Sequence, residues 1–329
     1  MSFRALLTDR IGAEVETSLV QMREEDLMPG DVTVAVGWST INYKDALAVT
    51  GAGRIMRRFP LVGGIDLAGT VTASSDAEFS AGDEVLITGW ELGQTHHGGF
   101  SELARVPGGW LQHIPEPFGP RDAMLIGTAG FTAALSVLAL QDAGIGPGQG
   151  DVVVTGATGG VGSFAVALLA SLGYRVVAAT GRSSQSARLQ GLGAAQIIHR
   201  DELSQPGPGF TSARWIAGVD TVGSHTLANV LAATGTGGVV TCCGLAQGND
   251  LPGSVLPFIL RGVSLIGIDS VHASRDRHAA AWELLAGKLD SGVLERIDAG
   301  QVGLEGVVAA SRRLLAGEVR GRIVVDLSS

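Results

Sequence analysis

The 329 residues, 45% hydrophobic and 17% charged, are enough for two domains with a large buried core. A formal net charge of −9 argues against a duplex-binding surface, so no nucleic-acid partner is expected, and anion binding is confined to places where positive residues cluster. Forty-nine glycines, with no repeat at every third residue, exclude a helical bundle and a collagen-like chain and imply many turns and close approaches of backbone to ligand.

From Phe3 to about Val106 the pattern alternates: Phe3, Ala5 and Leu7, then Val32, Val34 and Val36, then Glu84 to Thr88. Period two bounded by Gly, Pro and Asp predicts the strands of a mainly β domain. One helix follows Asn42-Tyr43-Lys44-Asp45, and a second is expected from about Pro120 to Ala143. Past the turn-rich stretch 144–150, Asp151 to Thr155 is a continuous apolar run, as expected of a strand covered on both faces. Val161, Ala165, Leu168 and Leu172 then recur at helical spacing, and Gly173 supplies the stop. Strands at Arg175 to Thr180, Ala195 to His199, Gly218 to Val222, Gly238 to Cys243 and Val263 to Ile268 alternate with helices through Leu189 and near Leu227 to Ala233. This alternation predicts an α/β chain built on a doubly wound parallel sheet with right-handed crossovers. Pro206 to Gly209 reads as a surface loop. In the tail, Trp282, Leu285 and Leu289 mark an amphipathic helix and Ile323 to Leu327 a final strand, expected to pack back on the N-terminal domain.

The richest apolar stretch, Gly160 to Leu172, is interrupted by Gly162, Ser163 and Ser171, so no membrane partner is expected. Met1-Ser2-Phe3-Arg4 leads into strand-like sequence without an apolar signal core, which predicts a cytoplasmic location. The two cysteines, Cys242 and Cys243, are adjacent and read as small apolar residues of a buried strand.

The strongest motif is Thr155-Gly156-Ala157-Thr158-Gly159-Gly160-Val161-Gly162, between the buried strand and the amphipathic helix. A tight turn there lets backbone N–H groups at the helix N-terminus face a pyrophosphate, which predicts a dinucleotide site at Thr158, Gly159, Gly160 and Val161. The next strand ends at Thr180-Gly181-Arg182-Ser183-Ser184, with none of the acidic side chains that usually hold the ribose 2′-hydroxyl of NAD. Arg182 offers a guanidinium fork to a 2′-phosphate and Thr180 a hydroxyl, which predicts NADPH; the plainer reading is a solvated arginine at a helix start.

Several strings carry a resemblance: Asn42 to Leu47, Gly64 to Gly69, Gly89-Trp90, Gly127 to Ala133, Val154 to Gly162, Thr180 to Arg182, Pro257 to Arg261, and Val319-Arg320-Gly321-Arg322. Through them the chain resembles the medium-chain dehydrogenase/reductase superfamily, in its zinc-free quinone oxidoreductase branch and its acryloyl-CoA reductase group. The resemblance implies a GroES-like catalytic domain from residues 1–124 and 271–329, with an inserted NADPH-binding Rossmann domain at residues 125–270. It implies further cofactor contacts at Tyr43, Arg200, Leu245, Ile259 and Ser270. Zinc-dependent relatives carry Gly-His-Glu where this chain has Gly64-Ile65-Asp66 and a cysteine near Tyr43, so no metal is expected. Adjacent His96 and His97 read as surface or substrate-pocket residues, and the family's Pro-Gly-Ile-Asp is Gly63-Gly64-Ile65-Asp66 here, which predicts a looser turn.

Without zinc to polarise an alcohol or ketone, an activated double bond is the expected substrate. The resemblance implies acryloyl-CoA reduced to propanoyl-CoA by hydride transfer to the β carbon, with another enone or a quinone as the alternative and a non-catalytic nucleotide-binding protein as the remote one. Tyr43 is the expected donor to the growing enolate, beside the plainer reading of a strand-edge aromatic. Lys44 and Asp45 are expected to pair or to begin the helix, and Asp66 to cap or orient backbone. Arg54, Arg57 and Arg58 form the densest basic cluster and are expected either to guide coenzyme A phosphates or to sit on a solvated loop. A homodimer is expected through the edge strand at Val263 to Ile268.

Overall fold

The computed structural model describes residues 2–12 and 14–328; Met1 and Ser329, the ends of the expected catalytic domain, lie outside the described residues. The chain divides into two compact units, Met1–Thr128 with Ser270–His272 and Asp298–Ser329, and Ala129–Asp269 with Ala273–Ile297.

The first unit begins with strands β1 (Ser2–Ile11), β2 (Glu14–Arg23) and β3 (Val32–Thr40), helix α1 (Tyr43–Val49) and strand β4 (Leu61–Val62). Strands β5 (Asp66–Ser74), β6 (Glu84–Thr88), β7 (Leu103–Val106) and β8 (Gln112–His113) follow, and helix α2 (Pro120–Asp142) leads out. β1 pairs antiparallel with β2 and β4, while β3 pairs antiparallel with β5 and β7. The alternation of the sequence turns Val34, Leu67, Ile87 and Val106 inward, where all four are fully buried.

The second unit is the doubly wound sheet. Its elements are β9 (Asp151–Val154), α3 (Gly160–Ser171), β10 (Arg175–Thr180), α4 (Ser186–Gly191), β11 (Gln196–His199), α5 (Asp201–Ser204) and β12 (Trp215–Asp220). They continue with α6 (Ser224–Ala232), β13 (Thr234–Cys242), α7 (Leu256–Arg261), β14 (Ser264–Gly267), α8 (Arg275–Lys288) and α9 (Ser291–Ile297). The six parallel strands lie in the order β11-β10-β9-β12-β13-β14, so the chain reverses its direction of winding between β9 and β12, the place where such sheets take ligands. β15 (Asp298–Val302), α10 (Val307–Leu315) and β16 (Arg322–Asp326) return to the first unit, where β16 pairs with β3.

Two expectations are corrected. The tail does not return whole to the catalytic domain, because α8 and α9 group with the second unit and the first crossing falls after Thr128 instead of after residue 124. The cause is packing: α8 buries Ala281, Trp282 and Leu285, and His278 stacks on Phe131 with ring centroids 4.2 Å apart. Secondly, α2 is by length and composition apolar enough to cross a membrane, although the sequence reading found no such run; 83% of its apolar window is buried inside the protein. Its helical geometry breaks at Gly127, whose φ of 48° and ψ of −160° belong to neither turn of the helix.

Candidate active site

In the second unit β9 ends at a turn that only glycine permits. Gly156 has φ 57°, and a Cβ there would lie 2.3 Å from Thr221 Oγ1; a Cβ at Gly162 would lie 2.4 Å from the Gly156 carbonyl oxygen. α3 therefore seats directly on the turn. Its N-cap, Gly159, supplies no side-chain acceptor, so the first-turn N–H groups of Gly160, Val161 and Gly162 remain open to an anion. Beneath the turn, Thr155 Oγ1 donates to Asp220 Oδ1 at 2.7 Å and Thr221 Oγ1 donates to the Thr155 carbonyl at 3.0 Å, which braces β9 against β12. Burial holds the Asp220 carboxyl above its usual range, against hydrogen bonds from Thr155, Gly223 and Val222.

The expected 2′-phosphate residues come together beside this turn. Arg182 Nη1 donates to Thr158 Oγ1 at 3.0 Å, and the Arg182 N–H donates to Thr180 Oγ1 at 3.1 Å. Arg200 lies over Gly181, since a Cβ there would meet Arg200 Nε at 2.6 Å, and the Arg200 N–H donates to the Thr180 carbonyl at 3.0 Å. The Arg200 guanidinium thus packs where a Gly181 side chain would stand, one residue along the chain from Arg182. Leu245 follows Gly244, which packs on the Thr221 carbonyl near the ends of β12 and β13, and its side chain is 57% exposed. Ile259 stands on α7 with its side chain 69% exposed. Ser270 belongs to the first unit, where its carbonyl lies against Gly89.

Tyr43 is the first residue of α1 and is 44% exposed. Directly behind it lies a buried polar cluster. Asp45 Oδ2 accepts from the Asn42 N–H and from Asn42 Nδ2, both at 2.9 Å, and Asp45 Oδ1 accepts from the Ile65 N–H at 2.9 Å. Asp66 accepts from Asn42 Nδ2 at 2.7 Å, from the Thr128 N–H at 3.0 Å and from Thr128 Oγ1. Arg322 donates to the Leu125 and Ile41 carbonyls, to Asn42 Oδ1 at 2.9 Å and to Thr40 Oγ1 at 2.7 Å. Burial, with the Asp66 charge adding to it, pushes the Asp45 carboxyl up to about 7. Burial also raises Asp66, opposed by Thr128 and by the Arg322 charge, and lowers Arg322 against the pull of both carboxylates. Asp45 is therefore engaged with Asn42 and Ile65 instead of Lys44, and Asp66 orients the Thr128 backbone. In sequence Arg322 closes the string Val319-Arg320-Gly321-Arg322, and an arginine beside a buried strand pattern is the only local signal of its place here.

Arg54, Arg57 and Arg58 lie exposed on the irregular segment between α1 and β4, which is pinned by buried Met56 and by the Arg57 N–H donating to the Gln94 carbonyl at 2.9 Å. Arg10 extends the cluster, its guanidinium carbon 4.6 Å from the centre of the Phe59 ring. The histidines are not surface residues. His96 is 8% exposed with Nε2 3.1 Å from the Pro29 carbonyl, and His97 Nδ1 accepts from the Val62 N–H at 3.1 Å. Burial, then the neighbouring His96 and Arg58, lowers the His97 pKa to about 4, which keeps the ring a neutral acceptor. Nor is the Gly63-Gly64 turn loose, since Phe100 and Gly99 N–H groups donate to the Gly63 and Gly64 carbonyls at 2.9 Å.

A zinc ion does not fit these residues. Tyr43 and Ile65 offer neither thiolate nor imidazole, the Asp66 oxygens are taken by Asn42 and Thr128, and among the described residues no three His, Cys, Asp or Glu side chains converge on a point.

The zinc-binding dehydrogenase family matches residues 160–287, and the alcohol dehydrogenase GroES-like domain matches residues 28–116. The probable acrylyl-CoA reductase AcuI of Escherichia coli (strain K12) is 47% identical over 325 residues, covering 99% of this chain and 100% of that protein. The crystal structure of the yhdH oxidoreductase from Salmonella enterica in complex with NADP has 48% sequence identity and a TM-score of 0.95, covering 99% of this chain and 100% of that one. The putative quinone oxidoreductase YhfP of Bacillus subtilis is 43% identical over 99% of both chains, and its crystal structure with NAD bound gives a TM-score of 0.95.

Proposed function

We propose that this chain, which belongs to the medium-chain dehydrogenase/reductase superfamily in its quinone oxidoreductase-like branch, reduces the carbon–carbon double bond of acryloyl-CoA to give propanoyl-CoA, using NADPH. The observation that carries the reading is the 47% identity, over essentially the whole of both chains, to a probable acrylyl-CoA reductase. The cradle agrees with it: open N–H groups at the start of α3 suit a pyrophosphate, and Arg182 with Arg200 suits a 2′-phosphate.

When bound, NADPH would supply the hydride for the β carbon of the thioester, and a proton from solvent water would complete the α carbon. The protein supplies placement and charge. Arg182, Arg200, Thr158 and Thr180 hold the cofactor at its phosphate end, with Gly159, Gly160 and Val161 on the pyrophosphate. Leu245, Ile259 and Ser270 complete the cofactor contacts in this reading. Tyr43 donates its hydroxyl proton in a hydrogen bond to the thioester oxygen as negative charge grows there. Arg10, Arg54, Arg57 and Arg58 attract the coenzyme A phosphates. The domain assignment follows: residues of the first unit carry the acyl substrate, and those of the second, with Ser270 of the first, the nucleotide. The reading extends to a soluble, cytoplasmic homodimer that pairs β14 edges, with the exposed Val255, Leu256 and Leu260 beside them covered on association.

NADPH oxidation measured with acryloyl-CoA, crotonoyl-CoA and small quinones, with mass identification of the acyl product, tests the reading. Quinone turnover without thioester turnover would replace it with the second one, which the similarity to YhfP favours. Sedimentation giving only monomer would remove the dimer.

A further inference from the structure

Asn42 is the hub of the buried cluster next to Tyr43 in the chain, and both of its side-chain N–H donors are engaged. Its two amide hydrogens serve two carboxylates, Asp45 Oδ2 at 2.9 Å and Asp66 Oδ2 at 2.7 Å, while its amide oxygen accepts from Arg322 Nη1 at 2.9 Å. Rotating the amide by half a turn would set its oxygen against both carboxylates and its hydrogens against a guanidinium, so only one orientation is compatible with the charges. The backbone is fixed at the same residue, because the Asn42 N–H donates to Asp45 Oδ2 and the Asn42 carbonyl accepts from the Ala46 N–H at 3.0 Å. Tyr43 comes next in the chain. It is 44% exposed, and α1, at seven residues, is too short to hold its own first turn by helix cooperativity.

We infer that Asn42 and Asp45 are positioning residues for Tyr43: the charge-locked amide and its carboxylate partner clamp the first turn of α1 and so hold the Tyr43 hydroxyl where it acts. The inference rests on the reading of Tyr43 as the donor to the substrate oxygen. The charged groups facing Asp45 from the elements packed around it are Asp66 on β5 and Arg322 on β16. Both sit in the same cluster, which makes the clamp electrostatic as well as steric.

A double-mutant cycle tests this, because a merely structural role and a positioning role predict different couplings. Asp45→Asn, Tyr43→Phe and the double variant are measured for kcat and KM with acryloyl-CoA, for NADPH Kd, and by thermal melting. The expected result is a kcat loss between about tenfold and a hundredfold for Asp45→Asn, with NADPH Kd within about twofold of wild type, and a further loss of under about twofold when Asp45→Asn is added to Tyr43→Phe. An equal loss of kcat in both backgrounds, or wild-type kcat in folded Asp45→Asn, would overturn the inference. Unchanged kcat on Tyr43→Phe alone overturns the donor reading and this inference with it, so the two failures are distinguishable within one cycle. Should Asp45→Asn not fold, Asn42→Ser keeps a capping hydroxyl, loses the bridging amide and goes through the same cycle with the same expectation.

Discussion

Cofactor choice is where this structure makes its most quantitative prediction. Arg182 directly follows Gly181 and is held by Thr158 at 3.0 Å, and Arg200 Nε lies 2.6 Å from the point a Gly181 Cβ would occupy. A 2′-phosphate placed there gains charge-assisted hydrogen bonds worth roughly 1.5 to 3 kcal/mol each, and 1.4 kcal/mol is a factor of ten in affinity. Because each guanidinium keeps part of the charge when the other is removed, Arg182→Ala and Arg200→Ala should each weaken NADPH by about tenfold. The double variant should lose roughly a hundredfold or more. NADH carries no 2′-phosphate, so its affinity should stay within about twofold throughout. Titration of nicotinamide fluorescence with both cofactors, together with the ratio of kcat/KM values, measures this directly. Equal use of NADH and NADPH by wild type, or an unchanged ratio in the double variant, would refute the assignment of these two arginines.

Three further outcomes follow from the first unit and from the α2–α8 packing. Replacing Arg54, Arg57 and Arg58 by alanine should raise KM for acryloyl-CoA severalfold at low salt, less at high salt, and leave KM for a quinone without phosphates unchanged; an equal rise for both substrates would assign the cluster another role. Asp45 accepts from Asn42 and Ile65 as a carboxylate and titrates at about 7, so kcat should rise with pH through that value in wild type and be flat there in folded Asp45→Asn. His278 is 3% exposed, and burial lowers its pKa from the ordinary 6.5 to about 4. The unfolded chain therefore takes up a proton below 6.5 that the folded chain refuses until about 4. Its contribution is full above 6.5 and is lost as pH falls through that window, by about 3 kcal/mol. His278→Phe keeps a ring against Phe131 and should flatten that part of the stability curve in denaturant titrations from pH 7 to 4; an unaltered slope would show that His278 is not the group.

The doubly wound sheet was legible because its signals are local. Continuous apolar strands, a glycine turn and helical spacing occupy adjacent windows of sequence, and the strand order follows once crossovers are right-handed. The proximity of Thr158, Thr180 and Arg182 was legible for the same reason, since all three sit at strand ends that such a sheet brings to one edge. The grouping of α8 was not: an amphipathic pattern shows that Trp282 and Leu285 have a buried face but carries no information on what covers it. Gly127 looked like an ordinary helix glycine. Its need arises from Arg322 Nη2 and Asp66 Oδ2, each 2.8 Å from where a Cβ would stand, and those partners are remote in sequence. The surface alternative for His96 and His97 fails for a related reason, because a loop can be buried when its glycines let it pack on backbone, as Gly98 does against the carbonyls of Gly63 and Gly64.

Arg322 explains how a buried acidic pair is accommodated in this fold. Asp45 and Asp66 are 1% and 0% exposed, and two ionised carboxylates at such depth would cost several kcal/mol if nothing met their charge. One guanidinium, 4% exposed, neutralises one of them. Burial raises both carboxyls, Asp45 to about 7 with the Asp66 charge adding to it, while five backbone and side-chain donor groups divide themselves between the two acids. Apolar replacements of similar volume are often neutral or stabilising at buried ion clusters, so stability alone does not account for keeping three charged groups here. What an apolar cluster lacks is direction. Only charges and hydrogen-bond donors can select one orientation of the Asn42 amide, and through it one orientation of the turn that presents Tyr43.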